Sequence, residues 1–358
     1  MALTLLAGVS LGAEAGSAQA AFAGWQFTSL PHANLWFHGM ALVDPVGPGP
    51  NPLYDPAYPN EVRKAKEGAG VGQTALDARL GYFRAAFRGD PAFEVLHFLP
   101  LYFAEAGRSE VFAALKLLAA TGEGLPRAQS RNTGFGIAAV GSVLTTQSQR
   151  SVLGEFALAL EEEWDAFFEA HWREGASRRE QIQASLQDTW QKNYSPALGS
   201  FLAGAEMSGG LAALVPALGP EGRIFGGSPE NPTDNVMALS APTDPGNASE
   251  AVYSMLRELS FPLVRRAIES TGGATGNRNE DESLAARAAI RCGALVLEMF
   301  RPDDLNAYQQ FFLSQAGRST PAVEAIQSAF QEVYPLDANL EEALREEILS
   351  TVRNGGVG

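Results

Sequence analysis

Three observations predict a mainly α-helical chain with a small antiparallel β element. Apolar residues recur three and four apart over most of the length. A capping signal at Asn247-Ala-Ser-Glu250 opens a long amphipathic segment. A Gly/Pro-punctuated stretch over 198–242 breaks the helical period into short apolar pieces. With 358 residues and 46% hydrophobic content, the chain has enough apolar material for one large domain or two ordinary ones. We expect two packed lobes with a break in 195–222: a helical N-terminal lobe over 21–197 and a mainly helical C-terminal lobe over 198–358.

Residues 1–20 form a signal-like segment. Leu3 to Leu11 is an apolar run, and Ala18-Gln19-Ala20 has the small-x-small form of a signal peptidase site. No Lys or Arg precedes Leu3, and Glu14 interrupts the segment. The pattern points to export to the periplasm or extracellular space of a bacterial cell. The run falls well short of the roughly 20 apolar residues that span a bilayer, so no integral membrane span is expected.

From Trp25 to Pro59 the text is rich in aromatics and prolines and reads as loop, with His32–His38 as a short helix or strand entering the core. Gly47-Pro-Gly-Pro-Asn-Pro52 reads as a surface excursion able to cover a cleft. Leu76, Leu80, Phe83 and Phe87, then Phe112, Leu115 and Leu118, mark amphipathic helices. Phe93–Phe103 carries Pro100 and reads as two short buried pieces. After a mixed segment at 134–144, Phe156, Leu160, Trp164, Phe167, Phe168 and Trp172 form a helical stripe, with Glu161, Glu162 and Glu163 placed on or beside the wet face. A helix through Ile182 and Trp190 ends before Pro196, and Arg223–Phe225 with Asn235–Ser240 reads as an antiparallel hairpin. Helices then follow at 251–270, 284–300, 304–314, 321–333 and 340–352, with a polar loop at 272–281.

The balance of 41 Asp+Glu against 26 Lys+Arg, a formal net charge of −15, repels phosphate backbones and argues against nucleic-acid binding. The single cysteine, Cys292, lies on an apolar helix face and reads as a buried inert thiol. The four histidines have no three- or four-residue spacing, so no metal site is read from them. His32 and His38, beside Trp36, are candidates to line a pocket, with core histidines as the simpler reading. His97 reads as a core histidine, and His171 as an interfacial residue near a helix C-terminus. No Gly-x-Ser-x-Gly elbow or phosphate-binding glycine loop is present.

A strand pair, then a helix carrying Arg257-Glu258-Leu259-Ser260-Phe261, then a helix ending in Glu298, together resemble the gluzincin metallopeptidases over roughly 220–315. In that family a helix carries His-Glu-x-x-His, whose histidines hold zinc while the glutamate activates water, and a following helix supplies a glutamate ligand. The histidine positions here are Arg257 and Phe261, neither of which can replace imidazole. The resemblance therefore implies a zincin-like C-terminal half with neither metal nor cofactor. Glu258 stands at the base position and Glu298 at the third-ligand position, with Arg257 pairing with Glu298 in place of the cation. It also implies that the strand pair lies where such enzymes hold substrate as an added strand.

Three functions stay open. The leading one is an exported, catalytically inactive zincin-like protein that binds a peptide or protein partner. The second is an active hydrolase using Glu258 and Glu298 as acid and base. The third is an acidic interaction subunit of a larger assembly.

Overall fold

The computed structural model of the chain describes residues 24–44, 46–47, 52–121, 131–226, 234–319 and 321–355. The signal-like segment 1–20, residues 48–51 of the Pro-rich turn, and the glycine- and proline-bearing stretch 227–233 lie outside the described residues.

The chain is mainly helical around a four-stranded mixed sheet. Strands β1 (Trp25–Thr28), β2 (Gly210–Val215), β3 (Arg223–Phe225) and β4 (Asn235–Ser240) lie in the order β1-β2-β4-β3. The expected antiparallel pair is present as β3 with β4, with Ile224 opposite Met237. Beyond it, β4 runs parallel to β2, and β2 runs parallel to β1. The sheet is thus larger than a hairpin, and a stretch read as loop supplies its first strand. That strand's outer edge is closed by one side chain: Gln187 Nε2 donates to the Trp25 carbonyl, and the Phe27 amide donates to Gln187 Oε1. An amide side chain here does the work of a further strand.

Strand alternation divides the molecule into two cores. Trp25, Phe27, Leu214, Met237 and Leu239 point into one, and Val215, Val236 and Ala238 into the other. The first core is covered by α1 (Pro31–Val43), α2 (Tyr58–Gly68), α3 (Ala75–Gly89), α4 (Arg108–Thr121), α5 (Arg131–Val143), α6 (Gln147–Glu163) and α7 (Glu169–Glu174). The second is covered by α8 (Ala176–Thr189), α9 (Ser195–Gly204), α10 (Ala248–Thr271), α11 (Arg278–Phe300), α12 (Leu305–Gln315), α13 (Ile326–Val333) and α14 (Ala338–Gly355). Ile182, Leu186, Trp190 and Leu198 belong to the second core, so the packing changes sides near residue 175 and not at 197. With β1 joining β2 in the middle of the chain, both cores share one sheet.

Local chemistry explains the helix ends. Thr74 and Asp77 form a capping box for α3, as Thr146 and Gln149 do for α6. Gly272 closes α10 in the left-handed conformation at φ 65°. Residues 134–144, read as mixed, lie almost entirely in α5. The stripe from Phe156 to Trp172 is not one regular helix: a π turn over Trp164–Phe168 joins α6 to α7, and a second over Trp190–Tyr194 joins α8 to α9. Pro196 therefore does not end that helix but sits in the first turn of α9, where its missing amide is tolerated. Among the described residues, no helix is long and apolar enough to cross a membrane.

Candidate functional site

Three features could carry chemistry: a charged centre on α10, a second charged centre beneath α2, and an open cleft.

The α10 centre is built around Arg257, which is 2% exposed. Its guanidinium donates to Glu221 at 2.7 Å and to its neighbour Glu258, and it lies 5.0 Å from the Phe261 ring centre, one turn along the helix. Glu258 also accepts from the Gly222 amide at 3.1 Å, which ties α10 to the entry of β3. Gly222 is required for this approach, since a Cβ there would lie 2.7 Å from the Ala238 carbonyl oxygen and 2.9 Å from Glu258 Cγ. One turn on from Glu258, Pro262 has no amide to offer the Glu258 carbonyl. Burial pushes Glu258 above the usual carboxylate range against the pull of Arg257 and Arg223. Burial also opposes the charge on Arg257, but Glu221 and Glu258 outweigh it and raise its pKa.

The expected pairing of Arg257 with Glu298 is not found. Glu298 lies at the surface, its side chain 46% exposed, and binds Arg345 of α14 at 2.9 Å. The physical reason is the nearer carboxylate: Glu221, just before β3, reaches Arg257 from the sheet side. Glu258 and Glu298 consequently have different partners and environments, and the structure does not bring them together as an acid–base pair. The α10 centre does not fit zinc either. Arg257 offers no lone pair, Phe261 has no donor atom, and a guanidinium already neutralises the carboxylates.

His32, Trp36 and His38 all lie on α1 and all are buried, and none of them lines the open cleft. Trp36 Nε1 donates to the Leu96 carbonyl. His32 is held near the Phe103 backbone, and burial lowers its pKa to about 4. His38 enters the second charged centre: Nδ1 lies 3.0 Å from the Tyr58 hydroxyl, and Nε2 lies 3.1 Å from Glu163 Oε1.

Glu163 organises that centre. Expected beside the wet face, it is fully buried and accepts from Lys66 at 2.9 Å and from Thr74 at 2.6 Å. Burial alone would raise its pKa, but hydrogen bonds from His38, Lys66 and Thr74 hold it at about 2. Lys66 also donates to Asp77 at 2.7 Å, so the two carboxylates share one ammonium. A sequence signal existed: Glu163 falls three residues after Leu160 and four before Phe167, on the buried stripe, and Lys66 follows Tyr58 and Val62 at helical spacing.

The cleft has a volume of about 1250 Å³ and opens at the carboxyl ends of β2 and β4. Its floor is the chain just after those strands, Pro216–Pro220 and Ala241–Thr243, with Ser240 at the end of β4. In parallel sheets the loops diverge at this end and leave a crevice. One wall comes from α2 with the π turn and α7, including Tyr58, Phe167, Phe168 and Trp172. The other comes from the start of α10 with Phe311 of α12. Two arginines on the wall are already engaged: Arg179 stacks 3.5 Å from the Trp172 ring centre, and Arg178 donates to the Thr243 carbonyl. His171, stacked on Phe167, also faces the cleft, and burial lowers its pKa. Neither Arg257 nor Glu258 lines the cleft. The expected buried thiol is found at Cys292, whose pKa burial pushes up to about 12.

No known protein family, curated protein or solved structure matches the chain. The reading of function therefore rests on this geometry.

Proposed function

We propose that this protein binds a peptide segment of a partner in the cleft at the ends of β2 and β4 and carries out no catalysis at α10. The observation that carries the reading is the cleft itself. Its volume, about 1250 Å³, exceeds the roughly 300–1,000 Å³ of small-molecule sites, and its walls combine large apolar rings with a few polar groups. Such a space suits several residues of extended chain. In this reading α10 is the degenerate counterpart of a zincin metal-site helix, with Arg257 in the place of the cation. Supporting that relation, α10 follows β4, β4's neighbour β3 is an antiparallel edge strand, and Glu258 is bonded to the start of β3. The relation extends to Arg257, Glu258 and Phe261 and stops short of Glu298. Export belongs to the same proposal and rests on the signal-like pattern of residues 1–20.

Selection from a randomised heptapeptide phage library on the full chain tests the binding function. Enriched peptides are expected to compete with one another and to bind an Ala170→Trp variant at least tenfold more weakly, since that exposed residue lines the cleft wall. No enrichment, or binders indifferent to Ala170→Trp, would overturn the reading. The released peptides are expected intact.

A further inference from the structure

The wall formed by α10 contains two polar side chains with no partner among the described residues. Ser254 is 1% exposed, yet its Oγ has no hydrogen-bond partner among the described residues. Most buried hydroxyls are satisfied, and a helical serine commonly bonds back to the carbonyl four residues earlier, so an orphaned one in a residue that lines the cleft calls for an explanation. Glu250 lies one turn before it on the same face, also lines the cleft, and makes no hydrogen bond or ion pair among the described residues. Glu250 stands in the first turn of a long helix, where the dipole favours a negative charge. Burial nonetheless raises its pKa, as for a carboxylate deprived of water and lacking a counter-cation.

We infer that Glu250 and Ser254 form a subsite for the cationic side chain, ammonium or guanidinium, of a lysine or arginine in the bound peptide. A carboxylate and a hydroxyl one turn apart supply two acceptors for a group that has only donors. The ring of Phe311 stands on the same side of the cleft and offers an apolar surface for the aliphatic stem. The cleft's own cations do not compete, because Arg178 and Arg179 are held by the Thr243 carbonyl and by Trp172. Asp55, Glu61 and Glu174 also line the cleft, so its carboxylates outnumber its arginines. The net charge of −15 draws cations toward the protein at long range. The inference rests on the peptide-binding reading above.

Calorimetric titration of the full chain with Ac-Ala-Ala-Ala-Xaa-Ala-Ala-Ala-NH2, where Xaa is Arg, Lys or Gln, and separately with spermidine, tests it. The Arg and Lys peptides are expected to bind about tenfold or more tightly than the Gln peptide, the range of a charge-assisted hydrogen bond. Glu250→Gln is expected to erase that difference, Ser254→Ala to reduce it a few-fold, and Ala170→Trp to weaken all three peptides. Equal binding of the Arg and Gln peptides, still weakened by Ala170→Trp, would overturn the cation subsite and leave the cleft reading standing. Absence of binding, or indifference to Ala170→Trp, would remove both. Spermidine binding tenfold more tightly than the Lys peptide would overturn the peptide as the source of the cation.

Discussion

The two charged centres lie on opposite sides of the sheet and are organised in opposite ways. On the first side a carboxylate is the hub: Glu163 receives hydrogen bonds from Lys66, Thr74 and His38, and a second carboxylate, Asp77, shares the lysine. On the second side a guanidinium is the hub: Arg257 serves both Glu221 and Glu258. The first network satisfies its hub completely. The second leaves Glu221 Oε2 and Arg223 Nε without partners among the described residues. A buried charge is tolerated in proportion to how fully its hydrogen-bonding capacity is met, so the first centre is the better stabilised and the second the more fragile.

The largest expected effect follows from that contrast. Arg257→Met strands two buried carboxylates, and we expect a loss of about 3–5 kcal/mol in denaturant unfolding. Lys66→Met leaves Glu163 with His38 and Thr74, and a smaller loss of roughly 2–3 kcal/mol is expected. A costlier Lys66→Met would reverse the ranking.

Acid sharpens the comparison, because the two sides respond with opposite sign. Burial lowers His32 to about 4 and His97 to about 3, below the value near 6.5 of the unfolded chain. Their stabilising contribution is therefore full above pH 6.5 and is lost as pH falls toward the folded values, a loss on the order of 2 kcal/mol each by pH 5. Glu163, held at about 2, adds a further loss between its ordinary value near 4.5 and pH 2. Glu258 behaves oppositely: its folded pKa is raised, so its protonation relieves a burial cost as pH falls. Hydrogen exchange at pH 7 and pH 5 is expected to show protection falling first in α1 and the 91–103 segment, ahead of α10. Earlier loss in α10 would break the comparison.

Smaller effects separate close packing from surface pairing. Gly222→Ala forces a Cβ against the Ala238 carbonyl and Glu258, and about 1–3 kcal/mol is expected from the overpacking. Glu298→Gln removes an exposed pair with Arg345, and thermal unfolding is expected to shift by no more than about 1 kcal/mol. A large effect at Glu298 would revive its role in a site.

Much of the helical frame was legible because its signals are local. The apolar period placed α10 within three residues at each end, and Asn247 takes the N-cap position, although its side chain makes no capping hydrogen bond. The sheet was only half legible. β3 and β4 announce themselves by short apolar runs between Gly and Pro, whereas β1 is only four residues long, and its partner lies some 185 positions later at Gly210. Parallel pairing leaves no hairpin signature to read. At the candidate sites, sequence spacing picked out Arg257, Glu258 and Phe261 as a contiguous group. The partner of Arg257 was misassigned, because a motif fixes a residue's neighbours along its own helix and not what approaches from the sheet. The cleft was not legible, since it is made of strand ends, a π turn and several helices distant in sequence.

The central claim, that α10 holds a guanidinium-centred ion cluster and not a metal site, is tested most directly by elemental analysis. The purified full chain would be dialysed against zinc and then against zinc-free buffer, with Glu258→Gln treated in parallel. We expect substoichiometric zinc in both, unchanged by the substitution. One zinc per chain in the wild type, lost in Glu258→Gln, would contradict the account and make this protein a metalloenzyme.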